Sequence, residues 1–129
     1  MPNIKIKQSI HEIDDSCFNM DAVNIANVVE LYAEKMKSTL KEKLDAMYLF
    51  GSVARGDYTP ASDIDILLVL NMEEDEIRAT RSQLTKIGSD LDLEYNVFIN
   101  KFTANKKEFD LNKQRRPLYT HVMREGVHL

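Results

Sequence analysis

Two apolar, strand-like runs bracket a glycine-serine turn and a pair of aspartates in the stretch Met47-Tyr-Leu-Phe-Gly-Ser-Val-Ala-Arg-Gly-Asp-Tyr-Thr-Pro-Ala-Ser-Asp-Ile-Asp-Ile-Leu-Leu-Val-Leu70. Ten residues separate Ser52 from Asp63. Gly51 lets a backbone approach a ligand with no Cβ in the way. Backbone N–H groups opening a helix after it are free donors in a field that favours anions. Ser52 adds a hydroxyl, and Arg55, one turn on, adds a charge-assisted donor. Asp63 and Asp65 stand at i and i+2 on a strand, so both carboxylates point to one face. Two such charges repel unless a cation lies between them, and Mg²⁺ suits a site made of one or two carboxylates plus phosphate oxygens. The pattern pairs a phosphate turn with a metal clamp, which is equipment for handling a nucleoside triphosphate.

The rest of the chain supplies a scaffold for that motif. Ile4-Lys5-Ile6 alternates like a short strand. From Asp21 to Leu44 the apolar positions Ile25, Ala26, Val29, Tyr32, Ala33, Met36 and Leu40 recur every three or four residues, the stripe of an amphipathic helix with Asn19 or Asp21 as cap. Ala46 to Phe50 reads as a buried strand, and Asp63 to Leu70 as a strand of a sheet interior. Asn71 and Glu74 have capping-box spacing, which predicts a helix from there that ends around Gly88 or Leu91, with Ile77, Leu84 and Ile87 inward. Leu93 to Ile99 alternates and is expected to be a third strand, with Glu94, Asn96 and Phe98 sharing one face. After a polar connection, Pro117 to Glu125 forms a closing helix with Leu118, Tyr119, Val122 and Met123 inward, stopped by Gly126. The expected fold is one α/β (α+β) domain over residues 1–129, a small mixed sheet flanked by helices.

Composition narrows the function. With 129 residues there is room for one core. A net charge of −4 and scattered Lys and Arg argue against a long polynucleotide. Lys101, Lys106, Lys107, Lys113, Arg115 and Arg116 form only a modest basic cluster, read as a solvated loop and helix start. The lone Cys17 leaves no internal disulfide, and His11, His121 and His128 lack metal-ligand spacing. With no apolar run of about 20 residues and no secretory leader, the expected compartment is the cytoplasm.

The glycine-serine, ten-residue, aspartate-x-aspartate pattern resembles the signature of the DNA polymerase beta-type nucleotidyltransferase superfamily. Ala54-Arg55-Gly56-Asp57 and Ser62-Asp63-Ile64-Asp65 are similar to its minimal nucleotidyltransferase (MNT) branch. The resemblance implies the polymerase beta-type fold and transfer of AMP from ATP to an acceptor hydroxyl. It assigns Gly51, Ser52 and Arg55 to the nucleotide, and Asp63 and Asp65 to Mg²⁺ and catalysis. It further implies a third acid on a later strand. The matching place is read here as Asn96, a neutral residue, with Glu94 as the carboxylate that substitutes for it. Stand-alone MNT chains resemble antitoxins that modify a helical HEPN ribonuclease toxin, so the acceptor is expected on a partner protein or a second copy in a homodimer. The alternative, favoured by Asn96, is a weakly active or inactive nucleotide- or protein-binding module that neutralises a partner by contact.

Overall fold

A computed structural model describes residues 19–59 and 61–129, with side chains from Asn24 onward. The expected strand at Ile4–Ile6, His11, Cys17 and the side chains of Asn19 and Asp21 lie outside the described residues. In chain order the elements are helix α1 (Asn19–Leu40), a 3₁₀ turn (Lys41–Lys43), strand β1 (Leu44–Phe50), short helix α2 (Gly51–Arg55) and strand β2 (Ile64–Leu70). They continue with helix α3 (Glu74–Tyr95), strand β3 (Ile99–Asn105), helices α4 (Lys106–Asn112) and α5 (Pro117–Glu125), and strand β4 (Val127–His128).

The sheet runs in the order β3-β2-β1-β4. β1 pairs antiparallel with β2 and with β4, and β2 pairs parallel with β3. This is a mixed sheet flanked by helices, the expected fold class. The parallel pair needs a crossover, and α3 is that crossover. Ile64, Ile66, Leu68 and Leu70 face a core shared with α1 and α3, whereas Leu67 and Val69 face a second cluster with Phe109, Tyr119 and Val122. Burial on both faces explains why β2 is an unbroken apolar run. The helical stripe of α1 is buried as expected, with Val29, Tyr32 and Met36 inaccessible to solvent.

Three boundaries differ from expectation. α3 does not stop at Gly88 or Leu91 but continues to Tyr95. Its inward positions Ile77, Leu84 and Leu91 are spaced by seven, two helical turns, and all are buried. Gly88 is tolerated within the helix because it sits beside the Tyr32 ring of α1, 3.7 Å from where a Cβ would lie. The alternation at Leu93–Ile99 is therefore not a strand, and Leu93 is 85% exposed. Asn71 is not the helix cap either. Glu73 holds that position, while Asn71 Nδ2 donates to the Glu42 carbonyl at 3.0 Å and its N–H to Lys43 O at 2.7 Å.

The polar connection after Ile99 in fact carries β3 and α4. Only Ile99 and Ala104 of β3 are buried, as suits an edge strand, so it has no apolar run to betray it. α4 opens on a side-chain cap, Asn105 Oδ1 accepting from the Glu108 N–H at 3.1 Å. The last helix spans Pro117–Glu125 as expected, with Tyr119 and Val122 buried but Met123 exposed.

Candidate active site

The turn between β1 and α2 sets the position of everything else in the site. Gly51 adopts φ +77, in the left-handed region where a side chain is disfavoured. A Cβ there would lie 3.3 Å from Asp65 Cγ and would collide with Oδ2. Glycine is thus required twice over, by the backbone angle and by the carboxylate packed against it. Register accounts for the contact, because Phe50 pairs with Asp65 across the antiparallel ladder. Ser52 follows in the first turn of α2, part-exposed. Gly56 ends the helix at φ 88 with its N–H bonded to Ser52 O at 2.8 Å.

Arg55 is held from two sides. Its Nε donates to Asp57 at 3.2 Å and its Nη1 to Glu125 of α5 at 3.0 Å. It still acts on the Asp65 carboxylate electrostatically. Asp63 lies one residue before β2 and is exposed, whereas Asp65 is half-buried in the strand. Burial, the largest cause, pushes the Asp65 carboxyl above its ordinary range. A hydrogen bond from Asn100 opposes that rise, the Asp63 charge adds to it, and Arg55 lowers it.

The residue that the structure sets beside Asp65 on the neighbouring strand is Asn100. Parallel pairing sets it opposite Asp65, and its Nδ2 donates to Asp65 Oδ1 at 3.2 Å. The strand placement expected for Glu94 and Asn96 is thereby corrected. Glu94 is exposed in the last turn of α3, and Asn96 is the left-handed C-cap of that helix at φ 54. Neither lies on β3. The signal available in the sequence was the capping pair Asn105 and Glu108, which marks the start of α4 and so places a strand before it.

Among the described residues no three His, Cys, Asp or Glu side chains converge. Asp63 and Asp65 form instead a pair of hard carboxylate donors carrying two formal charges, with Asn100 Nδ2 donating to Asp65. That set fits Mg²⁺, whose remaining positions are ordinarily filled by water and phosphate oxygens.

The other candidates are accounted for structurally. His128 packs on the Tyr48 ring at 5.2 Å, and His121 lies beside Arg124 and Glu125. Tyr119 donates to Glu108 at 2.7 Å, and burial followed by that carboxylate pushes its hydroxyl up to about 12. Of the basic cluster, Lys106 pairs with Asp45 and Asp110, Lys107 with Glu73 and Arg116 with Glu108. No described helix is long and apolar enough to cross a membrane.

Comparison with known proteins meets this geometry. The candidate protein adenylyltransferase MJ0141 of Methanocaldococcus jannaschii is 32% identical over 84 residues, which is 65% of this chain and 83% of that protein. A second candidate protein adenylyltransferase of the same organism, MJ0604, is 31% identical over 104 residues, 81% of this chain and 96% of its own. The nucleotidyltransferase domain model matches residues 30–119, from within α1 to within α5, and so takes in the turn, the aspartates and β3. With the motif at the junction of β1, α2 and β2 and a family match over most of its length, the chain belongs to the nucleotidyltransferase domain family.

Proposed function

We propose that this protein transfers AMP from ATP, with Mg²⁺, to a hydroxyl of a partner protein in the cytoplasm, in the manner of an MNT antitoxin acting on a helical HEPN-type toxin. The observation that carries this reading is the packing of the Asp65 carboxylate against Gly51, which joins the acidic pair to the phosphate turn. Protein adenylyltransferase, the activity in the names of the two Methanocaldococcus relatives, points to the acceptor class.

In this reading the N–H groups opening α2 and the Ser52 hydroxyl bind the phosphates, and Arg55 adds a positive charge beside them. Asp63 and Asp65 would hold the metal, with Asn100 orienting Asp65 through its amide. Bound there, Mg²⁺ supplies charge neutralisation for the triphosphate and favours the ionised form of an attacking hydroxyl. The acceptor oxygen bonds to the α-phosphorus, the bridge to the β-phosphate breaks, and pyrophosphate leaves. Asn100 has no basic group to receive the hydroxyl proton, which passes to water.

Calorimetric titration with ATP, with and without Mg²⁺, tests the site. Binding that requires the metal and disappears in Asp63→Ala is expected. Radiolabelled ATP with the partner then tests transfer. Absence of ATP binding in the wild type would overturn the reading.

A second reading has one observation behind it, the neutral Asn100 beside Asp65. In that reading the chain neutralises its partner by contact and turns over slowly or not at all. Asp63→Ala separates the two, since neutralisation by contact survives the substitution and neutralisation by modification does not.

A further inference from the structure

Helix α5 turns Tyr119 and Val122 into the core and leaves Thr120, Met123 and Arg124, at helical spacing, on an outer face. The turn before it is fixed, since the N–H groups of Arg115 and Arg116 both donate to Asn112 O, at 2.9 and 3.0 Å. That turn brings Lys113 and Gln114 to the same place, and the five residues line a surface groove of about 470 Å³.

The positive charge of the groove is not compensated within it. Lys113 and Arg124 make no ion pair with an acid among the described residues, and Arg124 Nη2 meets the His121 ring at 3.4 Å. The acids of α4 and α5 are all engaged elsewhere: Glu108 with Tyr119 and Arg116, Asp110 with Lys106, and Glu125 with Arg55. From Lys113 to Arg124 the chain has four basic residues and no acid, while the whole carries −4. A positive spot on a negative molecule selects an acidic partner and sets its orientation. Met123 lies beside the two cations with 48% of its surface exposed. Its flexible thioether adapts to apolar side chains, and Met and Arg are enriched at protein interfaces. No aromatic ring lines the groove, so a nucleobase has nothing to stack on. The chemistry therefore favours a protein segment over a nucleic acid.

We propose that this groove docks an acidic, amphipathic segment of the partner protein, its carboxylates paired with Lys113 and Arg124 and an apolar side chain seated on Met123. Docking presupposes, as the proposed function does, that the chain acts on a partner protein. Next to Arg124, Glu125 holds Arg55 at 3.0 Å, so a segment docked on α5 lies on the helix that braces the one after the Gly51-Ser52 turn.

Amide NMR titration of the full chain tests this with a synthetic helical peptide of Glu, Leu and Ala, beside a matched peptide with Lys in place of Glu and a single-stranded oligouridine. Saturable shifts of Gln114, Thr120, Met123 and Arg124 by the acidic peptide are expected, and none by the basic one. Lys113→Glu weakens binding at least about tenfold, and Met123→Ala weakens it severalfold. Neither residue is buried, so both variants keep the wild-type Tm. Calorimetric titration with ATP and Mg²⁺ is unchanged in Lys113→Glu, which keeps the groove and the transfer reaction apart. Peptide binding by a chain that binds no ATP would support docking and overturn transfer. ATP binding without a saturable shift at millimolar acidic peptide would overturn docking and leave transfer standing. Oligouridine binding as tightly as the acidic peptide would also overturn the proposal, as would peptide shifts that survive Lys113→Glu and Arg124→Glu combined.

Discussion

Asp65 carries a carboxylate that the fold makes uncomfortable on purpose, half-buried, beside Asp63 and against the Gly51 backbone. Because burial raises its carboxyl in the folded state, the native protein binds that proton more readily than the unfolded chain. The stability this contributes is complete below the unfolded carboxylate value, about 3.9, and is lost as pH rises through the folded one. At neutral pH the ionised side chain therefore works against folding. Asp65→Asn is expected to raise the Tm of the Mg²⁺-free protein at neutral pH, with the gain fading on acidification. Added Mg²⁺ should stabilise the wild type and leave the variant unmoved. Thermal melts over pH, with and without Mg²⁺, check both, and an unchanged neutral-pH Tm would mean that the charge is well solvated. Asn96 offers a second test at this scale. As a left-handed C-cap it has a structural task that glycine performs better, so Asn96→Gly should stabilise by about 0.5–1 kcal/mol. ATP and Mg²⁺ binding should be unaffected, whereas a metal ligand at that position would cost affinity.

Among the elements, β3 has the greatest consequence for chemistry, because its parallel register against β2 chooses which residue faces Asp65. That residue is Asn100. A carboxylate there would complete an acidic triplet and could take the proton that Asn100 cannot. Asn100→Asp is expected to raise the rate of AMP transfer by at least about tenfold, within the range of general-base effects. The same change should lower the metal-free Tm through repulsion with Asp63 and Asp65, and Mg²⁺ should restore it. Single-turnover assays with labelled ATP measure the first effect and melts the second; a rate that falls would show that the amide, not its neutrality, is what the site uses. α3 gains its extra turns for a reason that is legible afterwards. The seven-residue spacing of Ile77, Leu84 and Leu91 runs straight through Gly88, and a glycine facing Tyr32 across a helix contact does not end a helix.

At the scale of the whole molecule, two helical layers hold one sheet, and the site sits where the layers meet its end. Glu125 of α5 reaches Arg55 of α2, so the last helix holds the charged side chain that follows the Gly51-Ser52 turn. Glu125→Gln is expected to weaken ATP binding severalfold while leaving the Tm nearly unchanged, since exposed ion pairs contribute little to stability. Calorimetry beside a melt separates that from a general loosening, which would lower both together. The sequence by itself determined the turn at Gly51-Ser52, the aspartates ten residues on, the two-sided burial of β2, the α1 stripe and the limits of α5. All of these are written in local order, as alternation, helical period, a glycine or a proline, over a few neighbouring residues. Only the tertiary structure decided that Asn100 rather than Asn96 stands beside Asp65, that Glu94 lies in the last turn of a helix, and that Lys101 and Tyr32 share a cleft. Those outcomes depend on the register between strands 35 residues apart and on helix packing across the sheet, which no local pattern encodes. An edge strand such as β3, with two buried residues in seven, has too little apolar surface to announce itself.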